Sequence, residues 1–131
     1  MNAQRTILLV DDDQDFVAMN RAVLEDQGYL VRVAYNAEDC LASVEEEEPD
    51  LIVLDVMMAT KSDGFNVCHS LRNDVNTRDI PIIMVTSVNE EVPYRFDKDD
   101  TWLPVDVFLD KPVKPERLIE EVRKRLQPQP A

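Results

Sequence analysis

The stretch Thr6-Ile7-Leu8-Leu9-Val10-Asp11-Asp12-Asp13 joins a short apolar run to three consecutive carboxylates, and a second run, Leu51-Ile52-Val53-Leu54, ends on the single acid Asp55. Runs of four or five aliphatic residues without polar alternation suit strands buried on both faces of a parallel sheet. If the two runs are neighbours in such a sheet, their carboxyl ends bring several acids into one pocket. Like-charge repulsion makes that pocket costly unless a cation or a proton enters it.

Working outward, three more apolar runs, at residues 30–34, 80–85 and 105–109, alternate with amphipathic stretches, the mark of repeated βα units. The expected fold is therefore α/β, a doubly wound five-stranded parallel sheet flanked by helices. A helix over 15–27 directs Phe16, Val17, Val23 and Leu24 inward and stops at Gly28. Asn36 caps a second helix that reaches Glu48, where Pro49 marks the end. A third covers about 65–73 with Phe65, Cys68 and Leu71 inward, and the last, after Pro115, aligns Leu118, Ile119, Val122 and Leu126. Residues 89–104 hold Pro93, Pro104 and the charge cluster 97–100 with little periodicity, so a short or irregular helix is expected there. Within it, Tyr94, Phe96 and Trp102 suit either core positions or exposed anchors for a partner.

With 131 residues the chain suits one domain, expected over 1–126, with a short extended tail over 127–131. The net charge of −13 argues against the basic stripe that nucleic-acid backbones require and favours basic partners or metal ions. Cys40 and Cys68 lack metal-like spacing, and the sequence shows neither a signal peptide nor a long apolar span. A cytoplasmic location, reduced thiols and no membrane insertion are the expectation.

In open parallel sheets, functional residues gather at the carboxyl ends of the strands. Those ends are read as Asp11 and Asp12 after the first strand, Asp55 after the third, Thr86 and Ser87 after the fourth, and Asp110-Lys111 after the fifth. Carboxylates, a hydroxyl and an ammonium together suit phosphoryl transfer, in which hard oxygen ligands hold Mg²⁺ and cations neutralise phosphoryl oxygens. An aspartate can itself be the nucleophile, through an aspartyl-phosphate intermediate.

Four ordered motifs, Val10-Asp11-Asp12, Leu54-Asp55-Val56-Met57-Met58, Val85-Thr86-Ser87 and Phe108-Leu109-Asp110-Lys111-Pro112, give a specific signal. Over about residues 5–126 the chain resembles a receiver domain of the two-component response-regulator family. The resemblance implies a flavodoxin-like sheet of order 2-1-3-4-5. It implies that Asp55 accepts a phosphoryl group from a phosphohistidine of a sensor histidine kinase or phosphotransfer protein. Asp11, Asp12, Asp55 and the backbone carbonyl of Met57 would hold Mg²⁺, Asp12 directly and Asp11 largely through water. Thr86 would donate its hydroxyl to a phosphoryl oxygen, Lys111 would pair with another, and Phe108 would be the aromatic switch that follows Thr86. The Lys111-Pro112 bond would be cis.

By the same resemblance the chain is a single-domain response regulator that switches a protein-interaction surface toward a downstream protein target, with no direct nucleic-acid contact; a homodimer is compatible with it. Its chemistry is self-phosphorylation and self-dephosphorylation, so it is not a conventional enzyme. Two other readings compete. One is a pseudo-receiver that binds partners without phosphorylation. The other is a haloacid-dehalogenase-type phosphohydrolase, since Asp11-Asp12-Asp13 contains an Asp-x-Asp with Asp11 as nucleophile.

Several residues near these motifs have plainer readings. Asp13 reads as a helix cap, Asp110 as solvent-facing, His69 as a helix-surface residue, and both cysteines as small buried apolar side chains. The acids 45–48 read as a solvated helix end that opposes the helix dipole and frays. The chain also departs from the family pattern. Ala59 stands where a proline is usual and Gly64 comes one position late, so the loop 59–63 has gained a residue. The segment between Thr86 and Lys111 is long, which implies an altered output partner. Met57 and Val88 are apolar where polar groups can orient a hydrolytic water, so slow self-dephosphorylation is expected.

Overall fold

The computed structural model describes residues 5–55, 63–87, 107–111 and 113–126, with backbone alone for 63–66, 68, 86–87, 107–108 and 110–111. The expected tail, the irregular stretch 89–104 with its three aromatics, the loop 59–62, Met57, Val88 and Pro112 lie outside the described residues.

Strands β1 (Thr6–Val10), β2 (Leu30–Ala34), β3 (Leu51–Asp55), β4 (Ile82–Ser87) and β5 (Val107–Lys111) form one sheet in the order β2-β1-β3-β4-β5, and each ladder is parallel. Four helices connect or follow them: α1 (Gln14–Asp26), α2 (Ala37–Glu46), α3 (Asp63–Asn73) and α4 (Pro115–Leu126). The α/β expectation and the strand order are both met.

Strand alternation divides the core into two halves. Leu8, Val10, Ile52, Leu54, Ile82 and Met84 pack with Cys40, Val44, Val67 and Leu71 of α2 and α3. Their sequence neighbours Ile7, Leu9, Leu51, Val53, Ile83 and Val85 point the other way, onto Phe16, Val17 and Leu24 of α1 and Leu118, Val122 and Leu126 of α4. Each such aliphatic side chain contributes about 1.5–3 kcal/mol by leaving water, which is why the central strands carry unbroken apolar runs.

Helix ends follow their capping chemistry. The Asp13 carboxylate accepts from the backbone N–H groups of Asp15 (3.0 Å) and Phe16 (3.2 Å), the N-cap role expected for it. Asn36 Oδ1 accepts from Asp39 N (2.8 Å) and starts α2. Gly28, at φ 94°, follows the end of α1 in the left-handed region that glycine enters without strain. Helix α2 stops at Glu46, two residues short of the expected Glu48. Arg32 of β2 donates from Nη1 to the Glu47 carbonyl at 2.7 Å, placing a cation where the acidic run opposes the dipole.

Three strands differ from expectation at their ends; in the smallest case Asp55, expected just after the third strand, is the last residue of β3. The run at 80–85 was expected to be the fourth strand, yet Ile80 precedes it: its N–H donates to Thr77 O (3.1 Å) and its carbonyl accepts from Arg72 Nη1 (2.6 Å). Pro81 has no N–H to offer a ladder, so β4 begins at Ile82 and runs on to Ser87. The fifth strand, expected at 105–109, runs from Val107 to Lys111 because the register set by β4 pairs Ile83 with Val107 and Ser87 with Lys111. Thr86, Ser87, Asp110 and Lys111 are therefore the last residues of their strands rather than the first residues after them.

Three buried polar residues were not anticipated, among them Thr77, whose hydroxyl donates to Leu71 O at 2.6 Å. Asn20 of α1 is fully buried between Phe16 and Leu24 and donates from Nδ2 to Phe16 O at 2.8 Å. Glu121 of α4 is 4% exposed and held by cations of its own helix, Arg125 Nη1 at 2.6 Å and Arg117 Nη1 at 3.2 Å. Val23 and Ile119, both expected on inward faces, are half-buried.

Candidate phosphoacceptor site

The acid pocket follows from the register of two adjacent strands. Val10 of β1 lies opposite Leu54 of β3, so the next residues, Asp11 and Asp55, emerge side by side at the carboxyl edge of the sheet. Asp11 is 0% exposed and Asp55 3% exposed, whereas Asp12 is exposed. Each of the three offers a carboxylate oxygen, and these oxygens lie within 4.8 Å of one another. Two buried acids beneath one exposed acid make a pocket with its mouth toward solvent.

Local backbone bonds hold these side chains in place. Asp11 N–H donates to Ala34 O at 3.1 Å, carrying the pairing with β2 one residue past the strand. Asp11 Oδ1 accepts from Asp13 N at 2.9 Å, closing an Asx turn that leads into α1. Asp13 turns back to cap that helix and stays out of the cluster. The three adjacent acids of the sequence are thus split into one buried, one exposed at the mouth and one structural.

Such a donor set fits a hard divalent cation. Carboxylate oxygens are the usual ligands of Mg²⁺, which keeps several waters and needs only one or two protein carboxylates. Gathering two buried like charges is unfavourable in a low-dielectric site, and a cation reverses the sign of that interaction. The cluster Asp11, Asp12 and Asp55 can hold a metal ion.

The remaining expected residues stand at the same edge in the backbone. Asp55 pairs with Val85, so Thr86 lies one step further along β4, opposite Asp110, and Lys111 lies opposite Ser87. Phe108 lies opposite Met84, within the sheet and below that edge. The side chains of Thr86, Lys111, Phe108 and Asp110, like all of Met57, lie outside the described residues. His69 is half-buried on α3. Cys40 is buried in the α2 side of the core, where desolvation pushes its thiol up to about 12, in line with the apolar role expected for it. Asn20, Thr77 and Glu121 are buried polar residues that the sequence did not point to. Glu121 was visible only as a carboxylate with arginines at four positions to either side, and Asn20 as the one polar residue in the stripe Phe16, Val17, Leu24.

Comparison with known proteins agrees with this geometry. Residues 7–123 match the model of the response regulator receiver domain. The chain is 39% identical over 120 residues to the alkaline phosphatase synthesis transcriptional regulatory protein PhoP of Bacillus subtilis, covering 91% of this chain and 47% of that protein. It is 33% identical over 124 residues to the DNA-binding response regulator MtrA of Mycolicibacterium smegmatis, covering 95% and 51%. The chain thus spans about half the length of these curated relatives. Among solved structures, a putative response regulator from Chloroflexus aurantiacus superposes with a TM-score of 0.83 at 29% identity, covering 95% of this chain and 98% of that one. The chemotaxis response regulator CheY4 of Vibrio cholerae gives 0.81 at 25% identity, covering 95% and 100%. No helix among the described residues is long and apolar enough to cross a membrane. With its sheet order, its acidic edge and a match over almost its whole length, the chain belongs to the response regulator receiver domain family.

Proposed function

We propose that this receiver accepts a phosphoryl group on Asp55 from a phosphohistidine of a sensor histidine kinase or phosphotransfer protein, in a reaction that depends on Mg²⁺. The observation that carries this reading is the convergence of buried Asp11 and buried Asp55 with exposed Asp12 at one sheet edge.

An Asp55 carboxylate oxygen attacks phosphorus, the P–N bond to the donor imidazole breaks, and the electron pair leaves with the nitrogen, which takes up a proton. Bound Mg²⁺ would neutralise charge on the phosphoryl oxygens. Asp11 and Asp12 would hold the ion together with Asp55 and the Met57 carbonyl, with Asp12 as the more direct ligand. Thr86 at the end of β4 donates to one phosphoryl oxygen and Lys111 at the end of β5 balances another. The exposed side of the cluster, at Asp12, leaves the route by which a donor imidazole approaches.

The product is a population shift rather than a released metabolite. New contacts from Thr86 and Lys111 to the phosphoryl group favour one packing of the β4–β5 edge, with Phe108 following Thr86. That edge is the surface through which a downstream protein target reads the state, in the cytoplasm. The curated relatives are named as transcriptional and DNA-binding regulators, and this chain covers about half of each. The proposal therefore concerns the receiver unit and its switch.

Incubation with acetyl phosphate and Mg²⁺ followed by intact-mass spectrometry tests the reading. Wild type gains the mass of one phosphoryl group and Asp55→Asn gains none. A wild type that stays unmodified here and with its cognate kinase would favour the pseudo-receiver reading.

A further inference from the structure

The turn that carries Asp11 and Asp12 into α1 is held by hydrogen bonds that meet at one residue. Asp13 N–H donates to Asp11 Oδ1 at 2.9 Å, while Asp13 Oδ1 accepts from the N–H groups of Asp15 (3.0 Å) and Phe16 (3.2 Å). The same residue therefore orients an acid of the pocket through its backbone and starts a helix through its side chain.

Both ends of this relay are anchored. Helix α1 is fixed to the core by buried Phe16, Val17 and Leu24, and Phe16 supplies one of the two N–H groups that the cap receives. Asp11 is tied to β2, where its N–H donates to Ala34 O at 3.1 Å. Exposed Asp12 lies between the two anchored residues and takes its place from them. Asp13 itself is extended, at φ −83° and ψ 105°, as a capping residue must be. Without the cap the first turn of α1 is free to fray, and the Asp13 N–H loses the fixed position from which it reaches Asp11. Asn36 caps α2 in the same way, accepting from Asp39 N at 2.8 Å, but its bonds go to Asp39 and Cys40 of its own helix.

We propose that Asp13 is a positioning residue for Mg²⁺: its cap on α1 fixes the turn through which its own N–H holds Asp11, so the ion meets Asp11 and Asp12 already placed. This rests on the reading of Asp11, Asp12 and Asp55 as the metal site. The capping oxygen matters here and the negative charge does not, because the carboxylate is engaged by the helix N–H groups. Partners that orient metal ligands act in this manner, by ordering the ligand before the ion arrives.

Calorimetric titration of MgCl₂ into wild type, Asp13→Asn, Asp13→Ala and Asn36→Ala, in salt that screens distant charge, tests the proposal. Asparagine keeps the capping oxygen and drops the charge, alanine drops both, and Asn36→Ala removes an equivalent cap with no bond to Asp11. Asp13→Ala is expected to bind Mg²⁺ about five-fold or more weakly, and the other two variants within about two-fold of wild type. In metal-free ¹⁵N-labelled protein the Asp13 amide proton should exchange with solvent at least about five-fold faster in Asp13→Ala than in wild type or Asp13→Asn. Equal weakening by Asp13→Asn and Asp13→Ala would assign the effect to charge, and equal weakening by Asn36→Ala would assign it to general stability. Either result, or unchanged affinity in Asp13→Ala, overturns the proposal, as does unchanged exchange at Asp13 in the metal-free variants. A wild type that binds no Mg²⁺ overturns the metal reading itself and this proposal with it.

Discussion

Two acidic clusters in this molecule look alike in sequence and differ in kind. Asp11, Asp12 and Asp55 are assembled from the ends of two strands, and two of the three are almost removed from water. Glu45, Glu46, Glu47 and Glu48 are contiguous, and all four are exposed. Water screens the second group, so its members need no counter-ion to coexist. Burial denies that screening to the first group, so its charges must be met by partners within the site, and a bound cation is one that a carboxylate cluster suits. The number of acids therefore says less about chemistry than the direction in which the fold turns them.

Cys40 offers the sharpest contrast, because it is a buried ionisable group with no charge to share. Its thiol is pushed from 9.0 to about 12 by desolvation. The folded state thus holds the proton more tightly than the unfolded chain. The stability contribution is complete below pH 9, declines as pH rises above it and is lost through about pH 12. Iodoacetamide at pH 8, read by peptide mapping at Cys40, should label the native protein at least about a hundred-fold more slowly than the urea-unfolded chain. Comparable rates would mean that this half of the core opens readily.

Smaller, and measured in degrees, is the effect of the cation itself. At about a hundred times its dissociation constant, Mg²⁺ stabilises the folded state by about 2.7 kcal/mol, which raises Tm by several degrees in a scan. Asp12→Asn should remove most of that shift. Sodium chloride at matched ionic strength should not reproduce it; if it does, the buried cluster behaves like the exposed one.

Asp11→Asn sharpens the comparison further in metal-free protein. Asparagine keeps an oxygen for the Asp13 N–H, so the fold should survive, with stability to urea changed by less than about 1.5 kcal/mol, while the response to added Mg²⁺ should fall. The exposed cluster gives the least response. Glu46→Gln should change stability by less than about 0.5 kcal/mol, and a larger change would show that the α2 terminus is strained by its own charge.

Much of this was legible because apolar runs and caps are local signals. Strands β1 and β2 begin and end where the sequence suggested, and Asp13, Asn36 and Gly28 mark helix ends by chemistry that acts within three residues. The misplaced edges of β4 and β5 had nonlocal causes. Ile80 is apolar enough for a strand, but Arg72, eight residues earlier, takes its carbonyl into a turn. The end of β5 at Lys111, rather than 109, depends on its register with β4, which no single run of residues contains. Asn20 and Glu121 escaped notice because polar residues in an apolar stripe look like surface until the packing is known. The acid pocket itself was readable because its two buried acids, Asp11 and Asp55, directly follow apolar runs, and strand order did the rest.

The most direct test is to map where phosphorus attaches. After reaction with acetyl phosphate and Mg²⁺, borohydride reduction converts an aspartyl phosphate to homoserine, and tandem mass spectrometry of the digest locates it. Homoserine at position 55, dependent on Mg²⁺, is the expected result; homoserine at position 11, or modification that ignores Mg²⁺, would contradict the assignment of Asp55 as acceptor and Asp11 with Asp12 as the metal side of the pocket.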